Sequence, residues 1–136
     1  MTQTRSRLRD VVVDCARPSA LAAFWAEMLG YQVHPYDDAE LERLRAAGID
    51  DIADDPSVVI DPPDDGPRIW FGLADRAIVG KNRIHLDINL RSADELEWLI
   101  SLGARVVCPL GSFPGQRWTI LADPEGNEFC AFPPET

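Results

Sequence analysis

Positive charge is scarce in this chain. Thirteen Lys and Arg stand against 23 Asp and Glu, a formal net charge of −10, and a surface so biased repels phosphates. Nucleic acid and anionic membrane are therefore excluded as main partners. Cysteine is sparse too: Cys15, Cys108 and Cys130 show no CxxC spacing, and pairing any two leaves a third over. That usage reads as a reducing compartment. No uninterrupted apolar run approaches the ~20 residues that span a bilayer. Met1 to Arg9 is polar and lacks the apolar core of a signal peptide. A cytoplasmic protein is expected.

What is present is enough for one compact domain. The 136 residues are 46% hydrophobic, which suffices to bury a core. Much of the acidity lies between Asp37 and Asp65, where Asp50, Asp51, Asp54, Asp55, Asp61 and Asp64 also cluster. Such a run reads as a solvated insertion in preference to a cation site. The more informative pattern is a repeat. A strand-like Asp10–Cys15 is followed by a helical run closing at Gly30, and His85–Asn89 is followed by one closing at Gly103. Pro63-Asp64-Asp65-Gly66 precedes Arg68-Ile69-Trp70-Phe71 as Asp123-Pro124-Glu125-Gly126 precedes Glu128-Phe129-Cys130-Ala131. Duplicated units commonly build a site where the copies meet.

Taken in order, strands are expected at about 8–15, 31–35, 57–61 and 68–73, and again at 83–90, 104–108, 117–122 and 128–132. Leu21, Phe24, Trp25, Met28 and Leu29 make one apolar helix face, started by Pro18-Ser19 and stopped by Gly30. A short extra helix is expected over 38–47. Ser92 with Glu95 gives a capping-box signature for a helix carrying Leu96, Leu99 and Ile100. Each half thus reads β, α, β, β, β, with modules at about 8–75 and 81–133 separated by a linker at 76–82. The fold class is α+β: two βαβββ modules forming a half-open curved sheet with helices outside.

Strand alternation then divides the faces. Ile84, Leu86, Ile88 and Leu90 point to helix, and His85, Asp87 and Asn89 point away; Val11, Val13 and Cys15 point to helix, and Asp10, Val12 and Asp14 away. In the later strands Ile69, Phe71, Phe129 and Ala131 face helix. Arg68, Trp70 and Gly72, with Glu128, Cys130 and Phe132, face the concavity. A face of polar and aromatic side chains suits a ligand-binding floor.

The segments Asp10-Val-Val-Val-Asp14, Phe24-Trp25-Ala26-Glu27-Met28-Leu29-Gly30-Tyr31, Lys81-Asn82-Arg83-Ile84-His85-Leu86-Asp87 and Asp123-Pro124-Glu125-Gly126-Asn127-Glu128-Phe129 resemble the vicinal-oxygen-chelate superfamily, in its glyoxalase-like subgroup. This superfamily includes glyoxalases, bleomycin-resistance proteins and extradiol dioxygenases. The resemblance runs from about Leu8 to Phe132 and implies the glyoxalase-like fold and a homodimer. In metal-dependent members it implies ligands of the kind His or Gln, Glu, His, Glu at four places. Here those places are Asp10, Trp70, His85 and Cys130. Only His85 keeps the residue, and an indole N–H only donates.

Three readings of the site compete. The preferred one is a glyoxalase-like protein binding a small organic molecule, with Asp14, Arg68, Trp70, Asp87, Cys130 and Phe132 as binding residues and no cofactor. The second is a metal-independent lyase, isomerase or dehydratase using an Asp10–His85 carboxylate–imidazole pair as its catalytic residues. Against it stands a purely structural bridge between the same two residues. The third is a divalent-metal lyase or dioxygenase, in which Asp10, His85 and Cys130 would be the ligands. Trp25 is expected in the core, and Trp118 is left between core and pocket.

Overall fold

The computed structural model describes residues 8–74 and 84–134. Residues 1–7, the predicted linker at 76–82, and Arg83, the first residue of the predicted restart strand, lie outside the described residues. What is described falls into two compact units, within Met1–Arg76 and within Ala77–Thr136.

The first unit runs β1 (Asp10–Cys15), α1 (Pro18–Leu29), β2 (Gln32–Val33), α2 (Asp38–Ala46), β3 (Ser57–Asp61) and β4 (Arg68–Leu73), with a 3-10 turn at Ile52–Asp54. The second runs β5 (Leu86–Asn89), α3 (Glu95–Leu102), β6 (Arg105–Cys108), β7 (Thr119–Ala122) and β8 (Glu128–Phe132). Each builds an open four-stranded sheet, ordered β1-β4-β3-β2 and β5-β8-β7-β6. In both, the first strand pairs parallel with the fourth and the remaining pairs are antiparallel. The repeat in the sequence is therefore a repeat of connectivity and register, and the α+β fold of two open sheets is as expected.

Helix α1 forms where Pro18 presets the first turn and Leu21, Phe24 and Trp25 recur on one side; all four are buried. It ends at Gly30, whose φ of 69° is left-handed backbone that glycine adopts without a Cβ penalty. The helix packs on β3 and β4. Val58, Ile60, Ile69 and Phe71, the residues pointing to it, are buried. Burying each such side chain contributes roughly 1.5–3 kcal/mol. Trp25 is a core residue, set edge-on to Phe24 at 6.0 Å. In the second unit the same alternation buries Leu121, Phe129 and Ala131, and α3 buries Leu99.

Three local expectations are corrected. Helix α3 starts at Glu95, without the capping box: the Glu95 carboxylate accepts from the Arg91 N–H at 3.0 Å, and its own N–H donates to the Ser92 carbonyl at 3.3 Å. Asp94 already holds helical dihedrals at the cap position, so its side chain makes no cap bond. Strand β7 starts at Thr119, because buried Gln116 draws the preceding segment into a loop. Its Oε1 accepts from the Ser112 N–H at 2.7 Å and its Nε2 donates to the Trp118 carbonyl at 2.7 Å. Strand β2 is only two residues long. Among the described residues no helix is long and apolar enough to cross a membrane.

The acidic run is only partly a solvated insertion. Asp37 and Asp51 cap the two short helices of this segment, accepting from Glu40 and Ala53 N–H groups at 2.8 and 2.9 Å. Asp55 is buried.

Candidate functional site

In the first unit the face turned away from α1 carries Asp10, Asp14, Arg68 and Trp70, as alternation required. Register sets Asp10 opposite Arg68, Val12 opposite Trp70 and Asp14 opposite Gly72. The Arg68 Nε lies 3.4 Å from Asp10 Oδ1, and its guanidinium carbon lies 5.3 Å from the ring centre of Trp70. A cation–π contact and an ion pair thus meet on one side chain. Asp10 Oδ2 is 3.5 Å from Arg9 Nε. Asp10 Oδ1 is buried and accepts no hydrogen bond of good geometry among the described residues, so Arg68 is its electrostatic partner. Asp14 is exposed.

This arrangement bears on the metal implied by the resemblance. Of the two places in the first unit, Trp70 offers no lone pair, and beside Asp10 a guanidinium already supplies the positive charge. The first unit does not fit a metal.

The same face also walls a cavity of about 420 Å³, within the range of small-molecule sites. Trp70, Val59, Arg68 and His34 line it from the sheet side; Glu40, Arg43, Leu44 and Tyr36 line it from α2 and the segment leading into it. Helix α2 has no buried residue and roofs this cavity. It is thus the exception to the expected placing of helices on the other face. Two hydrogen bonds of 2.6 Å brace the site, His34 Nδ1 to Asp61 Oδ2 and the Tyr36 hydroxyl to Asp55 Oδ2. Burial first, then the Asp55 carboxylate and Glu40, push the Tyr36 phenol well above its ordinary value. Asp55 also accepts from the Ser57 N–H at 3.0 Å, tying the roof segment to the start of β3.

His34, Tyr36, Asp55 and Asp61 were missed by sequence reasoning. A signal existed for His34. Gln32 pairs with Asp61, and the His34 N–H donates to the Val59 carbonyl, so His34 continues the alternation of β2 onto the face of Trp70. Nothing local marks Asp55, which looks like any other residue of the acidic run.

In the second unit His85, Asp87, Cys130 and Phe132 share a face. Asp87 lies opposite Cys130 and Asn89 opposite Phe132. His85 Nδ1 is 3.4 Å from Asp87 Oδ1 and 4.0 Å from Cys130 Sγ. One ligand atom from each of the three lies within 4.8 Å of the others. Phe132 packs at a 42° tilt against Trp118, ring centres 5.6 Å apart, and Trp118 meets Phe113 edge-on at 6.0 Å, so Trp118 belongs to an aromatic cluster with Phe132. Asp10 and His85, the expected catalytic pair, belong to different units; within its own unit Asp10 meets Arg68 and Arg9, and His85 meets Asp87 and Cys130.

Residues 10–132 match the family described as Glyoxalase-like domain. The chain belongs to this glyoxalase-like family. Solved structures agree on the fold. A fosfomycin resistance protein, FosX, from Mesorhizobium loti superposes with a TM-score of 0.64 at 11% identity, covering 97% of this chain and 94% of that one. A glyoxalase/bleomycin resistance protein/dioxygenase family enzyme from Burkholderia phytofirmans PsJN gives 0.61 at 18% identity, with 93% and 97% covered. The bleomycin-binding protein of bleomycin-producing Streptomyces verticillus, solved with copper(II)-bleomycin, gives 0.55 at 18% identity, with 98% and 100% covered. No curated protein matches the chain. The vicinal-oxygen-chelate resemblance read from the sequence is thereby shown for this glyoxalase-like chain, and at these identities the solved structures speak for its fold alone.

Proposed function

We propose that this glyoxalase-like protein binds a small organic molecule in the cavity of its first unit, under α2. The observation that carries the reading is the cavity itself. It has the volume of a ligand site, an apolar wall of Trp70, Val59 and Leu44, and polar groups at His34, Tyr36 and Arg68. Its charged lining balances, Arg43 and Arg68 against Glu40 and Asp55, which favours a neutral, partly aromatic molecule over a strong anion or cation. The bleomycin-binding protein of Streptomyces verticillus, solved with copper(II)-bleomycin on the same fold, supports the class.

A second reading is favoured by one bond. The His34–Asp61 contact at 2.6 Å holds the ring proton on Nδ1, because a carboxylate only accepts. The other nitrogen of a cavity-lining imidazole is then the proton acceptor. With Asp10 engaged by Arg68, this pair takes over the acid–base role first expected of Asp10 and His85. Loss of turnover in His34→Gln with binding kept would mark an enzyme; equal turnover would sink that reading.

The binding reading is tested with the neutral fluorophore N-phenyl-1-naphthylamine and a panel of neutral aromatic competitors. The fluorophore should be displaced by panel members, and Leu44→Trp, which fills the cavity from its roof, should weaken binding about tenfold. Unchanged binding in Leu44→Trp would rule out this cavity.

A further inference from the structure

The second unit carries a cluster that the cavity does not explain. Asp87 lies on β5 and His85 immediately precedes that strand, two residues earlier, while Cys130 lies opposite Asp87 on the paired β8. The carboxylate and the sulfur both approach the same ring nitrogen, His85 Nδ1, at 3.4 and 4.0 Å. A nucleophile–base–orienter relay needs its two partners on different ring nitrogens, so the cluster is not one. Three ligand atoms within 4.8 Å of one another are instead the arrangement of a shared cation. A tetrahedral site with bonds of about 2.0–2.3 Å sets its donors roughly 3.3–3.8 Å apart; Asp87 already stands 3.4 Å from the His85 nitrogen, and Cys130, at 4.0 Å, would have to close in.

We propose that His85 Nδ1, an Asp87 carboxylate oxygen and Cys130 Sγ form a site for a thiophilic divalent cation of the zinc class, contained within the second unit. It is independent of the cavity reading. It also departs from the ligand set that the resemblance implies: three donors in place of four, a thiolate among them, and Asp87 from a place the resemblance does not use. Asp10, expected as the third ligand, is replaced by a residue two positions after His85. Sulfur and imidazole select zinc, cobalt or copper over magnesium or calcium. Cys130 is in no disulfide, and the His85 and Asp87 side chains are 40% and 57% exposed, so an ion can reach them. Three protein donors leave a fourth position for water or a ligand atom.

The test uses the full chain, treated with chelator and titrated with Co²⁺. One equivalent should bind with a thiolate-to-cobalt charge-transfer band in the near ultraviolet, displaced by Zn²⁺. Cys130→Ser and Cys130→Ala should abolish the band, Cys108→Ser should keep it, and Asp87→Asn should weaken Co²⁺ binding about tenfold or more. Near-ultraviolet circular dichroism checks that each variant is folded. The chain has two histidines, so imidazole resonances give a second readout: Zn²⁺ should shift His85 and leave His34 in place. Binding only at millimolar cobalt, a band that survives loss of the Cys130 thiol, a shifted His34, or equal affinity in Asp87→Asn would each overturn the proposal.

Discussion

The two units have one connectivity and one register, but they fill the same face with opposite chemistry. In the first, Arg68 sits across from Asp10 and over Trp70, so the face carries its own cation. In the second, the place equivalent to Arg68, two residues before Cys130 as Arg68 is two before Trp70, is Glu128. His85, Asp87 and Cys130 then form a cluster of three donors. The first unit alone has α2 as a roof. Between β6 and β7 the second has a loop organised by Gln116. A duplicated scaffold thus conserves what backbone pairing and core packing need. The side chains of the open face are free to diverge.

The comparison breaks first, and with the largest effect, if the two cores are not equivalent. Phe71 on β4 and Phe129 on β8 each lie on the buried face of their own sheet, and both have 0% exposure. Phe71→Ala and Phe129→Ala should each cost about 3–5 kcal/mol in urea unfolding. A cost below about 1 kcal/mol for one of them would mean that its unit does not share the packing logic of the other.

The open faces should differ where the cores agree. Arg68→Met strands the buried Asp10 oxygen and should cost about 1–3 kcal/mol, part of which Asp10→Asn restores in the double variant. Glu128→Met, at the equivalent place, should stay within about 0.5 kcal/mol. Equal costs for the two would remove the electrostatic contrast between units.

Smaller effects sharpen the contrast between turns. Gly126 has a φ of 88° and Gly66 has no positive φ. Gly126→Ala should cost about 1 kcal/mol through backbone strain. At Gly66 a Cβ would come closest to the Asp64 carboxylate, at 3.0 Å. That side chain can swing aside, so Gly66→Ala should cost less, by the same unfolding measurement.

The last effect is absent at neutral pH. The chain has two tyrosines, both in the first unit. Burial and then Asp64 raise the phenol of Tyr31, and burial and then Asp55 raise that of Tyr36. A phenol raised by folding contributes its stability fully below the unfolded value of about 10. That contribution is lost as pH rises beyond it. Phenolate absorbance at 295 nm should therefore stay low in the native protein near pH 10 and develop only at higher pH. The stability advantage of wild type over Tyr36→Phe should shrink over the same range. A full tyrosine titration centred near pH 10 with the fold intact would contradict the Tyr36–Asp55 bond.

Much of the fold was legible because its signals are local. Period-two alternation in Asp10–Cys15 and Arg68–Leu73, the helical spacing of Leu21, Phe24 and Trp25, and the stop at Gly30 each involve neighbours along the chain. Alternation also assigned Asp10, Trp70, His85, Asp87 and Cys130 to the faces they occupy. The elements that went astray were those decided by a contact at a distance or by a single side chain, such as Gln116 shortening β7. The site was legible only in part for the same reason. His34 meets Asp61 across 27 residues and Tyr36 meets Asp55 across 19, and neither pairing leaves a mark on its own segment.

By itself, then, the sequence determined the duplicated βαβββ plan, the buried faces and the family, because those follow from the periodicity of apolar residues and from turn chemistry. The tertiary structure alone decided that an acidic insertion becomes the roof of a cavity, that a guanidinium stands beside Asp10, and that Asp87 joins His85 and Cys130. Each is a meeting of side chains from different strands or segments, and hydrogen-bond and ionic partners are set by distances in space that spacing along a chain does not encode.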